Sequence, residues 1–177
     1  ALKLLRPHED LKVLTIMYYG GALFPTWVGD PSFKNLQSLK IVDCENCTLL
    51  PAVGKLPLLK DLYIRRMSSV ICVGQEFYGE NCQDVFPSLE TLHFEDMPEW
   101  KEWNSFEVDD RGKKFPHLRK ICIRRCPKLV GILLDDLHSL EELVIDSCEE
   151  LVVTISNLPM LSELRIDGCK ELVFGSY

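Results

Sequence analysis

The sequence lacks an apolar run that could cross a membrane. Its longest run, Leu129–Leu134, is far shorter than the roughly 20 residues of a membrane-spanning helix. The chain also lacks a positively charged start followed by an apolar segment, which would mark a signal peptide. Positive charge is scarce: the formal net charge is −7, whereas phosphate binding favours a basic face. We therefore expect no membrane span and no nucleic-acid partner.

Motifs for catalysis, nucleotide binding and metal binding are missing too. The glycine pair at 20–21 follows a predicted strand, but neither a lysine nor a helix start comes after it, so it forms no phosphate-binding loop. Cys44 and Cys47 have the spacing of half a zinc site, but a second ligand pair is absent. We expect no enzyme activity, no metal and no cofactor in this segment. A cysteine-dependent enzyme that uses Cys122 beside His93 is kept as an alternative.

A twelve-residue pattern recurs seven times along the chain. Its clearest copies begin at Leu140 and Leu161, and each carries apolar residues at positions 1, 4, 6, 9 and 12. Positions 4 and 6 alternate with the period of a short strand that has one buried face. A five-residue strand buries a face only beside copies of itself, so the pattern predicts a leucine-rich-repeat solenoid. The repeats start near residues 11, 36, 59, 89, 118, 140 and 161.

The repeats predict an α/β fold over residues 1–177, a single leucine-rich-repeat domain shaped as a horseshoe with a parallel inner β-sheet. Two repeats are enlarged, with insertions near 72–86 and 99–115 that we expect to leave the solenoid as mobile loops. Back segments such as 133–137 are expected to form short helices or 3₁₀ turns. Neither end of the chain has the polar cap of a solenoid, so we expect a fragment of a longer protein.

Cysteine is concentrated at one position of the repeat. Four of the eight cysteines occupy position 9, where a small side chain can pack inward while its sulfur meets the turning backbone. Residues at the same position of successive repeats are expected to stack rather than to pair by design. We therefore expect reduced thiols and a cytoplasmic protein. These cysteines are Cys44, Cys126, Cys148 and Cys169.

The inner face of the sheet, made by positions 3, 5, 7 and 8, is where we expect a partner to bind. In the middle repeats arginine and acid alternate at positions 7 and 8. One interpretation is a ladder of exposed ion pairs, in which reversing the charge of Glu95 costs about 1 kcal/mol. The other is a polar binding site beside an apolar corner. The candidate residues are Met17, Tyr18, Val42, Asp43, Tyr63, Arg65, Arg66, His93, Glu95, Asp96, Arg124, Arg125, Asp146 and Asp167.

Several phrases in the sequence are more specific than the generic repeat. A proline precedes position 1 by two residues at Pro57, Pro87, Pro116 and Pro159. The most distinctive segments are 5–12 (LRPHEDLK), 19–21 (YGG), 24–28 (FPTWV), 50–57 (LPAVGKLP) and 97–100 (MPEW). Together these features resemble the leucine-rich-repeat region of plant intracellular disease-resistance proteins of the coiled-coil type. Those receptors carry a nucleotide-binding NB-ARC module upstream of the repeats.

The resemblance implies a protein-recognition and autoregulatory module of a plant innate immune receptor. Its partners would be a pathogen effector, a guarded host protein or the receptor's own NB-ARC module. Any ADP or ATP would belong to that module, because none of its motifs lies in these 177 residues. Two alternatives stay open. A substrate-recruiting repeat domain of an F-box ubiquitin ligase also favours cysteine at position 9. An extracellular receptor ectodomain would be expected to carry capping disulfides and several glycosylation sites.

Overall fold

The computed structural model describes residues 2–80, 84–104 and 112–175 of the chain. In these ranges the secondary structure is almost entirely β, with one single-turn helix α1 (Gln75–Tyr78) and 3₁₀ turns at Leu2–Leu4 and Thr26–Gly29. No helix in these ranges is long and apolar enough to cross a membrane. The strands are β1 (Val13–Met17), β2 (Ser38–Val42), β3 (Asp61–Arg65), β4 (Cys72–Val73), β5 (Thr91–Glu95), β6 (Glu102–Trp103), β7 (Lys120–Arg124), β8 (Gly131–Asp135), β9 (Glu142–Asp146), β10 (Val152–Ser156), β11 (Glu163–Asp167) and β12 (Glu171–Phe174).

Each copy of the repeat forms one five-residue strand from its positions 3 to 7. These strands pair in parallel in the order β1-β2-β3-β5-β7-β9-β11. The register never slips: Leu62 lies opposite Leu92, which lies opposite Ile121, and all three occupy position 4. This arrangement confirms the predicted leucine-rich-repeat solenoid with a parallel inner sheet.

The hydrophobic core is complete in the interior repeats and open at both ends. In the five interior repeats, every residue at positions 1, 4, 6, 9 and 12 is buried. Burial of one such leucine or isoleucine stabilises the fold by roughly 1.5–3 kcal/mol. In the last repeat Leu164 is 38% exposed, and in the first repeat the side chain of Ala22 is exposed. The terminal repeats have a neighbour on only one side, which leaves these positions partly uncovered.

The back of the solenoid forms the expected short helix or 3₁₀ turn in its N-terminal half, at Thr26–Gly29 and Gln75–Tyr78, but strands in its C-terminal half. Residues 131–135 form β8, which pairs in parallel with β10, and β10 pairs with β12. Burial alternates along β8 and β10, so that Ile132 and Leu134 face the core together with Val153 and Ile155. The repeats that begin at 118 and 140 are only 22 and 21 residues long. Such short repeats favour an extended back segment, because a helix would need more residues to span the same turn of the solenoid.

The two insertions are packed at their flanks, whereas mobile loops were expected. Strands β4 and β6 pair with each other, and Tyr78 of α1 is buried. Phe86 and Phe115 stack with their ring centroids 5.1 Å apart, and Trp100 lies 4.7 Å from the ring of Phe94. The aromatic residues of the insertions therefore extend the core. The second insertion also contains a charged run at 107–114 (EVDDRGKK), and most of that run lies outside the described residues.

Candidate functional site

Position 8 of every repeat has a left-handed backbone. Its seven residues have φ angles between 51° and 68°, which is uncommon for residues other than glycine. In the first six of these residues, the backbone N–H donates to the position-7 carbonyl of the next strand, as in the 3.0 Å bond from Asp96 to Arg124. This bond continues the sheet while the chain turns. The seven residues are Tyr18, Asp43, Arg66, Asp96, Arg125, Ser147 and Gly168.

The turn at position 8 brings position 9 into the core. Cys44, Cys126 and Cys148 are buried there, and each thiol donates to the position-7 carbonyl of its own repeat at 3.3–3.5 Å. This is the packing that the cysteine pattern predicts. Every cysteine that the structure describes is a free thiol. The left-handed turn itself was not foreseen, although Asp43, Asp96 and Gly168 belong to the residue types that adopt this conformation most readily.

Glu95 lies at the centre of a network of charged and polar side chains on the inner face. Its carboxylate accepts a 2.6 Å hydrogen bond from the hydroxyl of Tyr63 and another from the guanidinium of Arg125. The Nε atom of Arg65 lies 4.0 Å from the same carboxylate. Only 13% of the Glu95 side chain is exposed. Partial burial opposes ionisation, yet the Tyr63 hydrogen bond and the charges of Arg125 and Arg65 lower the pKa of the Glu95 carboxyl.

Asp96 extends this network along position 8. Arg125 donates from Nε to Asp96 at 2.6 Å, and the Nε atoms of Arg65 and Arg66 lie 3.5 and 3.9 Å from its Oδ2. Arg66 also reaches Asp43 at 3.5 Å. The hydrogen bond from Arg125 is the main cause that lowers the pKa of the Asp96 carboxyl. We call the seven residues that take part the Glu95 network: Asp43, Tyr63, Arg65, Arg66, Glu95, Asp96 and Arg125.

The predicted ladder along position 7 is only partly formed. The strands place Glu95 opposite Arg124, and Arg124 opposite Asp146. Glu95 nevertheless pairs diagonally with Arg125, while Asp146 accepts a 2.8 Å hydrogen bond from the hydroxyl of Ser147. Within the described part of the chain Arg124 forms no ion pair, and its buried Nε atom has no hydrogen-bond partner. Charge alternation therefore runs along position 8, and Arg124 is left out of it.

The structure also changes the expected cost of reversing Glu95. From the repeat pattern alone this carboxylate is expected to be exposed, and replacing it with arginine would lower the free energy of unfolding by only about 1 kcal/mol. In the structure Glu95 is largely covered and shares its carboxylate among Tyr63, Arg65 and Arg125. An arginine there would bring three guanidinium groups together and leave the phenol without its acceptor. Replacing Glu95 with arginine is therefore expected to destabilise the fold by more than the sequence alone suggests.

Several side chains of the inner face are more buried than their repeat positions predict. Val42, predicted as part of an apolar corner, is 4% exposed, and Cys122 and Val144 are buried at position 5. Met17 and Tyr18 of the same corner are 49% and 73% exposed. Among the described residues, the exposed apolar side chains at positions 3, 5, 7 and 8 lie on or next to β1, which is the edge strand of the sheet in this chain. At the opposite end, Asp167 is exposed on β11 opposite Asp146.

His93 and Cys122, the possible catalytic pair, lie on adjacent strands in register. Burial raises the pKa of the Cys122 thiol, and burial is also the main cause that lowers the pKa of His93. The His93 ring lies 4.5 Å from the ring of Tyr63, and its Nε2 is 3.4 Å from Glu95. A catalytic cysteine needs a lowered thiol pKa and access to solvent, and Cys122 has neither. The described residues contain no cluster of three metal-ligating side chains.

The family model and the known proteins that match this chain point to the same family. Residues 1–67 match the family model described as R13L1/DRL21 LRRs. The chain is 42% identical over 150 residues to putative disease resistance RPP13-like protein 1 of Arabidopsis thaliana, an alignment covering 81% of this chain and 14% of that protein. A second putative disease resistance protein of the same plant is 41% identical over 150 residues, which cover 83% of this chain and 10% of that protein.

A third relative comes from a different plant. The putative disease resistance protein RGA1 of Solanum bulbocastanum is 34% identical over 158 residues, covering 89% of this chain and 15% of that protein. The chain thus spans a small part of the length of each of these relatives. No solved structure matches it. The repeat register, the family match and these relatives lead to one conclusion: the chain belongs to the leucine-rich-repeat regions of plant disease-resistance proteins.

Proposed function

We propose that this chain is the protein-recognition region of a plant innate immune receptor and that its inner face contacts the partner. The observation that carries this proposal is the contrast between uniform core positions and varied inner-face positions on one sheet of constant register. A solenoid of this kind holds side chains in fixed rows on a rigid surface. Such a surface can distinguish one protein from another by charge and shape. The names of the relatives support a role in defence.

The proposed partner is a protein of one of three kinds. It is a pathogen effector, a guarded host protein or the receptor's own NB-ARC module, and contact with that module would hold the receptor inactive. The receptor would act in the cytoplasm, and its nucleotide would be bound outside this segment. The recognition role would need no catalysis. The relatives also favour a defence role over substrate recruitment by a ubiquitin ligase.

The test compares two faces of the solenoid in the full-length receptor. The inner-face variant carries Met17→Ser and Tyr18→Ser, which remove exposed apolar side chains from β1 and its turn. Serine already occupies position 8 at Ser147, so the backbone accepts it there. The matched control carries Ile71→Ser and Val130→Ser, two residues that are each 55% exposed at position 13, outside the inner face.

The measurement is the cell-death response in leaves, with receptor abundance followed by immunoblot. We expect the inner-face variant to show either autoactivity or a lost response at normal abundance, because it alters the contact surface without affecting the core. The control should behave as the wild type. A normal response from the inner-face variant, or an equal change in both variants, would contradict the proposal.

A further inference from the structure

Arg124 differs from the other arginines of positions 7 and 8 on the inner face in having no carboxylate partner. Arg65, Arg66 and Arg125 each lie within 4.0 Å of an acid. The two acids opposite Arg124 are engaged elsewhere, Glu95 by Tyr63 and two arginines and Asp146 by the hydroxyl of Ser147. Among the described residues no ion pair includes Arg124, and its Nε atom is buried without a hydrogen-bond partner. A charged donor is therefore unused at the middle of this face.

The side chains around Arg124 are largely buried. The floor beside it is formed by the buried side chains of Cys122 and Val144. On the adjacent strand the Nε2 atom of His93 is also buried without a hydrogen-bond partner, although it lies 3.4 Å from the Glu95 carboxylate. Burial is the main cause of the lowered pKa of that ring, and the charge of Arg124 adds to it. A low-dielectric floor strengthens any interaction that a charged ligand makes there.

The chemistry of the site favours a carboxylate over a phosphate. A guanidinium offers a planar pair of donors that matches a carboxylate or a phosphate. The acids Glu95 and Asp146 lie opposite Arg124 on the two adjacent strands, and the chain as a whole carries a charge of −7. A phosphate or a nucleic-acid backbone would meet more repulsion there than a single carboxylate would. The matching ligand is an aspartate or glutamate side chain on a protein surface.

We propose that Arg124 receives an acidic side chain of the protein partner that docks on the inner face. The proposal rests on the proposed function and adds the chemistry of one contact. Arg65 and Arg125 are already engaged by the acids of the Glu95 network, so Arg124 is the arginine of positions 7 and 8 that has a charge to offer the partner. The partner would present an acidic residue toward β7, between the acids of β5 and β9.

The first arm of the test uses the full-length receptor in leaves. Arg124→Gln keeps an amide donor but removes the charge, and Arg124→Lys keeps the charge but removes the planar fork. The matched control is Arg119→Gln, at an exposed arginine of the same repeat that pairs with Glu141 at 3.0 Å outside the inner face. We expect an altered response for Arg124→Gln, a partial effect for Arg124→Lys and none for the control, all at equal abundance.

The second arm uses a random peptide library displayed on phage as the probe, selected against purified receptor. Peptides enriched on the wild type should carry an aspartate or glutamate whose replacement by the amide weakens binding at least tenfold. The receptor variant Arg124→Gln should bind the original acidic peptide more weakly than the wild type does, by a similar factor. The amide peptide should bind this variant only slightly more weakly than it binds the wild-type receptor. A library that yields no acidic peptide dependent on Arg124 overturns the proposal.

The two proposals fail in distinguishable ways. If the receptor with Arg124→Gln gives a normal response while the Met17 and Tyr18 double variant does not, the inner face recognises a partner but Arg124 does not contact it. If none of these variants is altered, the proposed function fails together with the carboxylate contact. Enrichment of phosphopeptides over acidic peptides on the wild type, in a library that contains both, would also overturn the assignment of a carboxylate.

Discussion

Glu95 and Arg124 occupy the same position of adjacent repeats, yet their surroundings are opposite. Glu95 on β5 is 13% exposed and is shared by a phenol and two guanidinium groups. Arg124 on β7 lies opposite that carboxylate and forms no ion pair in the part of the chain that is described. Constant register therefore brings charges close together without deciding which of them pair.

The left-handed turn at position 8 explains the difference. Arg125 follows Arg124 in sequence, and the turn directs its long side chain back across β5, where it meets both Glu95 and Asp96. One arginine that contacts two acids satisfies more charge than Arg124 could from position 7. The result is one satisfied region and one unsatisfied region a single strand apart. The first region contributes to stability, and the second holds the arginine for which we propose a contact with the partner.

The largest effect is expected from reversing the charge at the satisfied region. Glu95→Arg should lower the free energy of unfolding by about 3 kcal/mol, because it removes the shared acceptor and adds a third guanidinium to a largely buried site. Asp167→Arg, the same change at position 7 of the exposed last strand, should change it by less than about 0.5 kcal/mol. Urea unfolding of both variants measures the difference. Equal midpoints would remove the distinction between the two regions.

A smaller loss is expected from deleting one hydrogen bond of the network. Tyr63→Phe removes the 2.6 Å bond to Glu95 and should cost about 1.5–2 kcal/mol, as is typical for a hydrogen bond to a charged acceptor. Tyr18→Phe changes the same group on a ring that is 73% exposed and should leave stability unchanged. If thermal unfolding shows no loss for Tyr63→Phe, Glu95 would not depend on the phenol.

The pH dependence of stability should report the same network. The folded-state pKa values of Glu95 and Asp96 are lowered, so their contribution is present above their ordinary values of 4.5 and 3.8 and is lost as pH falls through the lowered values. Arg125→Gln should therefore cost about 1 kcal/mol at pH 7 and progressively less below pH 4.5. Melting temperatures of wild type and variant between pH 7 and pH 3 test this. A gap that is constant with pH would contradict it.

The smallest effect is expected beside Arg124. Asp146→Asn removes the charge of an acid that faces Arg124 but accepts its hydrogen bond from Ser147. Because the two residues form no ion pair, stability should change by less than about 0.5 kcal/mol. A loss above 1 kcal/mol in chemical unfolding would mean that Asp146 already neutralises Arg124, and the two regions would then be alike.

The sequence predicts the parts of this molecule that repeat. Leu62, Leu92 and Ile121 share position 4, so one period gives the strands, their register and the core. The back sheet was missed because the short run of residues 131–135 fits a strand or a helical turn equally well. The packed flanks of the insertions were missed because Tyr78 and Phe115 lie outside the period, where nothing in the pattern indicates their neighbours.

The pairing of charges was predicted only in outline. Alternation of arginine and acid was visible at positions 7 and 8, and both rows were named as candidates. Two features decide which of the two rows forms ion pairs. The side chain of Arg125 leaves its turn in the direction of Glu95, and the hydroxyl of Tyr63 reaches Glu95 from a different position of the repeat. Neither is a property of a repeat position. Because Arg124 lacks an ion pair as a result of these two features, the repeat pattern could not predict it.

The left-handed conformation at position 8 also limits which side chains the inner face can carry there. Valine, isoleucine and threonine adopt that backbone only at high energetic cost, because their branched β-carbons clash with the neighbouring peptide groups. Positions 3 and 5 lie on regular strands and accept every such residue, as Val13 and Val144 illustrate. The seven residues at position 8 of this chain agree with that limit: they are glycine or side chains without a branched β-carbon, such as Asp43, Arg66 and Ser147. If the inner face binds a partner as proposed, its specificity would change at position 8 by exchange of unbranched side chains and at positions 3 and 5 by changes of shape as well.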